Sequence, residues 1–332
     1  MNRDRFVYRA PWWLPGGNPQ TLWAALVSRR HFGPAPRWRR IRWSTPDGDF
    51  IDVDQAVHTS APEAPLLILF HGLEGSSASQ YAVAFADFAA AHGVAYAVPH
   101  FRGCSGEINK APRAYHSGDF EEVDWILRRF AEEHPGRPLI AVGVSLGGNA
   151  LMRWAGEMGL DAVPRVRAIA SVCSPLDLAA GGEAIGRGFN RLVYTRMFMR
   201  SMVPKALSKL EQHPGLFDRK KLLAARDLYE FDNLFTAPLH GFRDTADYWA
   251  RASAKPVLHR IRVPALALNA RNDPFVPAAS LPSSQDAGHH VMLWQPEQGG
   301  HVGFPVAQGT FGMPGHVRAM PEAVGNWLLA HL

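Results

Sequence analysis

The stretch Leu139-Ile140-Ala141-Val142-Gly143-Val144-Ser145-Leu146-Gly147-Gly148-Asn149-Ala150-Leu151 decides how the chain is read. Its first half is short, apolar and partly β-branched, the composition of a buried strand. Its second half, through Met152-Arg153-Trp154, has helix-forming character. Between them stands G-x-S-x-G, at Gly143, Ser145 and Gly147. Strand, sharp turn, helix is the context in which this pattern presents a serine hydroxyl at the edge of a sheet. Glycines on either side remove Cβ atoms where the turn leaves no space for them. Ser145 is therefore the candidate nucleophile, and the backbone N–H of Leu146 points toward the place where an oxyanion would form.

A serine hydroxyl is a weak nucleophile, so a base must take its proton and an acid must orient the base. Downstream, Pro264-Ala265-Leu266-Ala267-Leu268 reads as a buried strand running into Arg271-Asn272-Asp273-Pro274. The next apolar run, Val291-Met292-Leu293-Trp294, leads to Gly299-Gly300-His301. Asp273 and His301 each follow a strand end, in the chain order serine, acid, base. Asp177 and Glu297 are rival acids. Asp177 also follows a strand-like run, at 167–173, whereas Glu297 is close enough to the histidine to share its loop. His289 and His290 are rival bases, but they precede the last strand and fall at the wrong end of a sheet. A further strand, Leu66-Leu67-Ile68-Leu69-Phe70, ends in His71-Gly72-Leu73-Glu74-Gly75, and a loop of this kind supplies a second oxyanion donor, here the N–H of Leu73.

Strand-like runs occur near 40–44, 50–57, 66–70, 94–99, 139–143, 167–173, 264–270 and 290–295. Amphipathic helical stretches near 79–92, 117–134 and 146–158 alternate with them, and a last helix falls near 320–331. Alternation of this kind predicts a mostly parallel, eight-stranded sheet covered on both faces. It stops between Ser174 and Val263, an interval too long for a loop and without a strand pattern, which predicts an inserted helical cap. The expected division is an arm with the first strands at 1–60, core at 61–176, cap at 177–262 and core again at 263–332. Within the cap, Met197, Phe198, Met199 and Met202 alternate with Arg191, Arg196 and Arg200. They read either as packing of cap on core or as an adaptable apolar wall for an acyl chain.

The chain has 332 residues and a formal net charge of +5. Two cysteines, Cys104 and Cys173, far apart in sequence, argue against a disulfide scaffold and are compatible with a reducing compartment. No leader or membrane-spanning pattern is evident, so cytoplasmic residence is expected. Eight arginines and no acidic residue lie between Asp4 and Asp47, with Trp12, Trp13, Trp23, Trp38 and Trp43 among them. This segment reads as an arm wrapped over the core with solvated cations, and as an alternative as a peripheral membrane contact. Nucleic acid is the weakest reading. No H-E-x-x-H, C-x-x-C or phosphate-binding glycine pattern occurs, so neither metal nor organic cofactor is expected. His92, His100 and His116 show no ligand spacing and read as ordinary polar residues.

Together these segments resemble the α/β-hydrolase superfamily, and within it the YheT-type hydrolases of bacteria, which are similar to eukaryotic α/β-hydrolase-domain lipid esterases and plant embryogenesis-associated hydrolases. The resemblance runs through Gly17-Asn18-Pro19-Gln20-Thr21, His71-Gly72-Leu73-Glu74-Gly75, Phe101-Arg102-Gly103-Cys104-Ser105-Gly106 and the Ser145 elbow. It continues through Phe231-Asp232, Thr236-Ala237-Pro238, Gly241-Phe242, Asp247-Tyr248, Asn272-Asp273-Pro274-Phe275 and Gly299-Gly300-His301-Val302-Gly303. It implies an α/β-hydrolase fold, the triad Ser145, Asp273 and His301, and hydrolysis of short- to medium-chain acyl esters or glycerolipids. The same side chains would serve a thioesterase, amidase or acyltransferase, and the fold could also serve a non-catalytic lipid-binding protein.

Overall fold

A computed structural model describes residues 6–332; the first five residues of the arm lie outside the described residues. Eight strands form one sheet: β1 (Trp38–Ser44), β2 (Phe50–Ala56), β3 (Leu66–Phe70), β4 (Ala95–Pro99), β5 (Leu139–Val144), β6 (Ala168–Val172), β7 (Ala265–Leu268) and β8 (Val291–Trp294). Their spatial order is β1-β2-β4-β3-β5-β6-β7-β8. From β4 onward every pairing is parallel, and only β1 and β2 run antiparallel to their neighbours.

The central strands are buried on both faces, which is why they read as unbroken apolar runs. Alternate side chains of each strand enter different cores. Leu66, Ile68 and Phe70 pack with α3 (Phe120–Glu133) and α4 (Leu146–Met158). Leu67 and Leu69 pack with α2 (Gln80–Ala91) and with the last helix, Ala319–Leu329. In α3 the buried residues Val123, Ile126, Leu127 and Phe130 recur at helical spacing, with Glu121, Arg128 and Glu132 on the outer side. Each fully buried side chain of this size contributes roughly 1.5–3 kcal/mol relative to exposure.

The arm contains a helix, α1 (Gly17–Leu26), that hydropathy patterning alone does not reveal. Its tryptophans behave differently from one another. Trp43 is buried against Phe130, Trp13 meets Trp23 edge to face at 4.9 Å, and Trp12 is exposed. Arg40 and Arg42 of β1 form two-pronged bonds to the buried carboxylates of Asp54 and Asp52 across the β1–β2 ladder. Two of the eight arginines of this segment are thus neutralised by buried carboxylates.

Between β6 and β7 the chain forms only helices. These include α5 (Leu178–Ile185), α6 (Arg196–Gln212) and α7 (Thr245–Ala252), with shorter pieces at Arg219–Ala224 and Leu228–Phe231. They build a small core of their own around Met202, Ala206, Leu222, Phe231 and Phe235. Among the described residues no helix is long and apolar enough to cross a membrane.

Candidate active site

β5 ends at Val144 and α4 begins at Leu146, leaving Ser145 alone on the turn. Its backbone is held at φ 53°, ψ −120°, a region that non-glycine residues rarely occupy. The turn is enforced by its neighbours. A Cβ on Gly143 would lie 2.4 Å from the carbonyl oxygen of Gly147, and a Cβ on Gly147 would lie 2.4 Å from the carbonyl oxygens of Phe70 and His71. The chain crosses itself there at a distance only glycine permits.

The serine hydroxyl lies 3.0 Å from His301 Nε2, and His301 Nδ1 lies 2.9 Å from Asp273 Oδ2. Because a carboxylate only accepts, Nδ1 carries the imidazole proton and Nε2 is left to accept from the serine. Asp273 is buried, and its other oxygen accepts from the N–H groups of Phe275 (2.8 Å) and Val276 (3.3 Å). The Phe275 ring lies against the imidazole, with centroids 4.2 Å apart. The three residues come from turns after β5, β7 and β8, whose parallel course brings those turns to one edge of the sheet.

The rival residues do other work. Asp177 caps α5 by accepting from the N–H of Ala180. Glu297 is exposed and faces Arg271 at 3.4 Å. His289 and His290 precede β8 at the opposite edge, where the carbonyl of His290 accepts from the N–H of Ala265.

The loop after β3 lies directly beside the serine, where a Cβ on Gly72 would be 3.1 Å from the Cβ of Ser145. Its N–H groups are occupied in turn. Gly72 donates to the Tyr81 hydroxyl, Glu74 to the Tyr115 hydroxyl, and Gly75 to the carbonyl of Gly72. Leu73, next to the serine, has no acceptor among the described residues, and the same holds for Leu146 at the start of α4. The loop is held from below by His71. Its Nδ1 donates to the carbonyl of Gly72, and its Nε2 accepts from the N–H of Phe101. Burial pushes the His71 imidazole down to about 3, so it is neutral and keeps its acceptor.

Sequence reasoning gave Gly17-Asn18-Pro19-Gln20-Thr21 no role, yet this segment ties the two loops together. Gln20 Oε1 accepts from Asn272 Nδ2 (3.0 Å) and from the N–H of Gly299 (2.9 Å). Asn272 Oδ1 accepts from the N–H of Gly300, and Thr21 Oγ1 accepts from the N–H of His301 at 2.8 Å while donating to the carbonyl of Gly17. A Cβ on Gly17 would lie 1.9 Å from the carbonyl oxygen of Asn272. Gln20 and Thr21 are polar yet buried and hydrogen-bonded, a state that exists only once the fold has assembled, so no local pattern in the sequence points to them.

Of the six described non-glycine residues at positive φ, five gather around this edge, Glu74 (56°), Ser145 (53°), Cys173 (51°), Val302 (54°) and Phe304 (47°), and the sixth is Phe311 (55°).

A cavity of about 1120 Å³, part of it open to solvent, extends from Ser145 and His301 under the helices that follow β6. Leu73, Leu146, Leu178, Phe198, Met202, Phe235 and Trp249 form much of its wall. His116, read from sequence as an ordinary polar residue, also lines it, and burial lowers its pKa to about 4. Two carboxylates reach the wall. Glu74 pairs with Lys205 at 2.8 Å and accepts from Tyr115. Asp232 has no cationic partner among the described residues. It accepts from Thr236 Oγ1 (2.6 Å) and Trp249 Nε1 (3.0 Å), and burial raises its pKa to about 6 against these two donors.

Residues 65–308 match the alpha/beta hydrolase fold family. The chain belongs to that family. It is 39% identical over 288 residues to YheT of Escherichia coli (strain K12), a protein whose name proposes esterase activity, covering 86% of this chain and 83% of YheT. It is 28% identical over 303 residues to the phospholipase ABHD3 of Mus musculus, covering 88% of this chain and 72% of ABHD3. Among solved structures, the Pyrococcus furiosus esterase Pf2001 superposes with a TM-score of 0.55 at 14% identity, covering 99% of both chains, a likeness of fold. The family expectation drawn from the sequence therefore holds.

Proposed function

We propose that this α/β hydrolase cleaves carboxylic esters through an acyl-enzyme on Ser145. His301 takes the serine proton as Oγ attacks the ester carbonyl, and Asp273 holds the imidazole tautomer and stabilises the imidazolium. The oxyanion of the tetrahedral intermediate lies on the unspent N–H groups of Leu73 and Leu146, the latter at the positive end of α4. His301 then returns the proton to the leaving alcohol, and water repeats the sequence on the acyl-enzyme. The observation that supports this reading is the unbroken row from Ser145 Oγ through the imidazole to Asp273, at 3.0 and 2.9 Å, beside two free N–H groups.

The acyl group takes the cavity. Its wall is mostly apolar and includes Phe198 and the adaptable thioether of Met202, which suit a medium-length hydrocarbon chain. Residues 177–262 act as a cap over that chain. The name of the phospholipase relative points the same way, toward glycerolipid esters as the substrate class.

Turnover of p-nitrophenyl esters across acyl lengths tests the assignment. Ser145→Ala loses roughly a thousandfold or more in kcat with an unchanged fold, and a fluorophosphonate probe labels the wild type at Ser145 and not the variant. Wild-type turnover in that variant would overturn the proposal.

A further inference from the structure

The helix that walls the cavity has a second, outward face. From Gly188 the chain runs helically through a π-type turn at Arg191–Thr195 into α6, ending at Gln212. Phe198, Met202, Lys205, Ala206 and Lys209 recur at helical spacing on the inner face and line the cavity. On the outer side, Phe189, Leu192 and Met197 are 50%, 58% and 54% exposed, although one edge of the Phe189 ring meets Tyr194.

The charge around them is of one sign. No acidic residue occurs between Glu183 and Glu211. Arg187 is paired with Glu183. Arg191, Arg196 and Arg200 are exposed and have no acidic partner among the described residues. Arg40 and Arg42 of the arm are bound to buried carboxylates, so they offer much less free charge. Apolar side chains standing proud of a helix and interspersed with unpaired arginines suit a bilayer surface, where rings and aliphatic chains enter the acyl boundary and cations remain among anionic headgroups.

We propose that the outer face of residues 188–200 docks on an anionic lipid surface. The partner is the headgroup layer of a bilayer carrying acidic phospholipid. Docking there sets the cavity wall within one helix diameter of the lipid, so that an ester leaving the bilayer reaches Ser145 along the inner face of the same helix. That last step rests on the hydrolase reading; the docking does not.

Sedimentation of the full chain with vesicles tests it. Vesicles of phosphatidylcholine with about a third phosphatidylglycerol should carry the protein down, pure phosphatidylcholine vesicles far less, and added salt should release it. Charge reversal at Arg191, Arg196 and Arg200 together should weaken partitioning by roughly a hundredfold, and Phe189→Ser with Leu192→Ser should weaken it at all salt concentrations. Turnover of a water-soluble short-chain ester should be unchanged in both variants, while turnover of an ester embedded in the anionic vesicles should fall with binding. Wild-type protein that ignores anionic vesicles would overturn the proposal, as would variants that bind like wild type or wild-type protein that binds single-stranded DNA in place of vesicles. If the soluble ester is not cleaved by wild type, the hydrolase reading fails and the sedimentation result still decides the docking.

Discussion

The backbone N–H of His301 donates to the hydroxyl of Thr21 at 2.8 Å, so the residue that faces Ser145 is held by a helix 280 positions earlier in the chain. Removing the hydroxyl leaves a buried donor unsatisfied, at a cost of about 1–3 kcal/mol, and frees the loop to shift. Thr21→Val should therefore lower kcat by roughly a hundredfold, because misplacing the base by about an ångström costs that much. Thr21→Ser, which keeps both hydrogen bonds, should restore kcat. KM should hardly move in either variant. Steady-state kinetics on one soluble ester reads all three outcomes, and equal loss in both variants would mean that the hydroxyl is not what positions His301.

Gly147→Ala should be far more damaging than an alanine usually is in a helix. The added Cβ would meet two backbone carbonyl oxygens at 2.4 Å, and neither can swing aside. Strand β3 would have to move away from β5, so a loss of about 1–3 kcal/mol or more is expected. Thermal unfolding compared with Ala150→Gly, a change elsewhere in the same helix, checks it.

Asp232 should make acyl-length preference depend on pH. Its carboxyl is raised to about 6, so it is neutral below that value and places an anion on the apolar wall above it. The ratio of kcat/KM for a long acyl ester to that for a short one should fall as pH rises through about 6. Any titration of the common base cancels in the ratio. Asp232→Asn should flatten the profile between about pH 5 and about pH 7.5.

His71 should contribute to acid sensitivity of the fold. Its pKa falls from 6.5 to about 3 on burial, so below 6.5 the unfolded chain takes up a proton that the folded chain refuses. The stabilisation is complete above about 6.5 and drains away as pH falls toward about 3. At neutral pH His71→Leu should cost about 1–3 kcal/mol, because Phe101 N–H loses its acceptor. The gap between variant and wild type should narrow as pH falls below 6.5. Urea unfolding at a series of pH values measures this.

Local pattern revealed most of the sheet. The eight strands are legible because buried parallel strands are continuous apolar runs, and α3 because its apolar residues keep a helical period. The order of Ser145, Asp273 and His301, each past a strand end, was also legible. What local pattern could not show is contact across long separations. Nothing near Gln20 announces that its amide will accept from Asn272 and Gly299, because hydrogen bonds over more than 250 positions leave no periodicity. The neutralisation of Arg40 and Arg42 by Asp54 and Asp52 depends on strand register, which is set only when β1 and β2 pair. Asp232 and His116 gain their character from burial among the helices that follow β6, and burial is a property of the assembled fold.

The left-handed backbone at Glu74, Ser145, Cys173, Val302 and Phe304 has a consequence for how the molecule ages under heat. Each such residue holds roughly 1–3 kcal/mol that its surroundings must supply, and all five belong to loops or strand ends at one rim. On warming, that rim relaxes first, while the strands beneath it stay paired. Catalytic half-life at elevated temperature should then run out well before circular dichroism registers any melting, and the idle protein should regain its turnover on cooling.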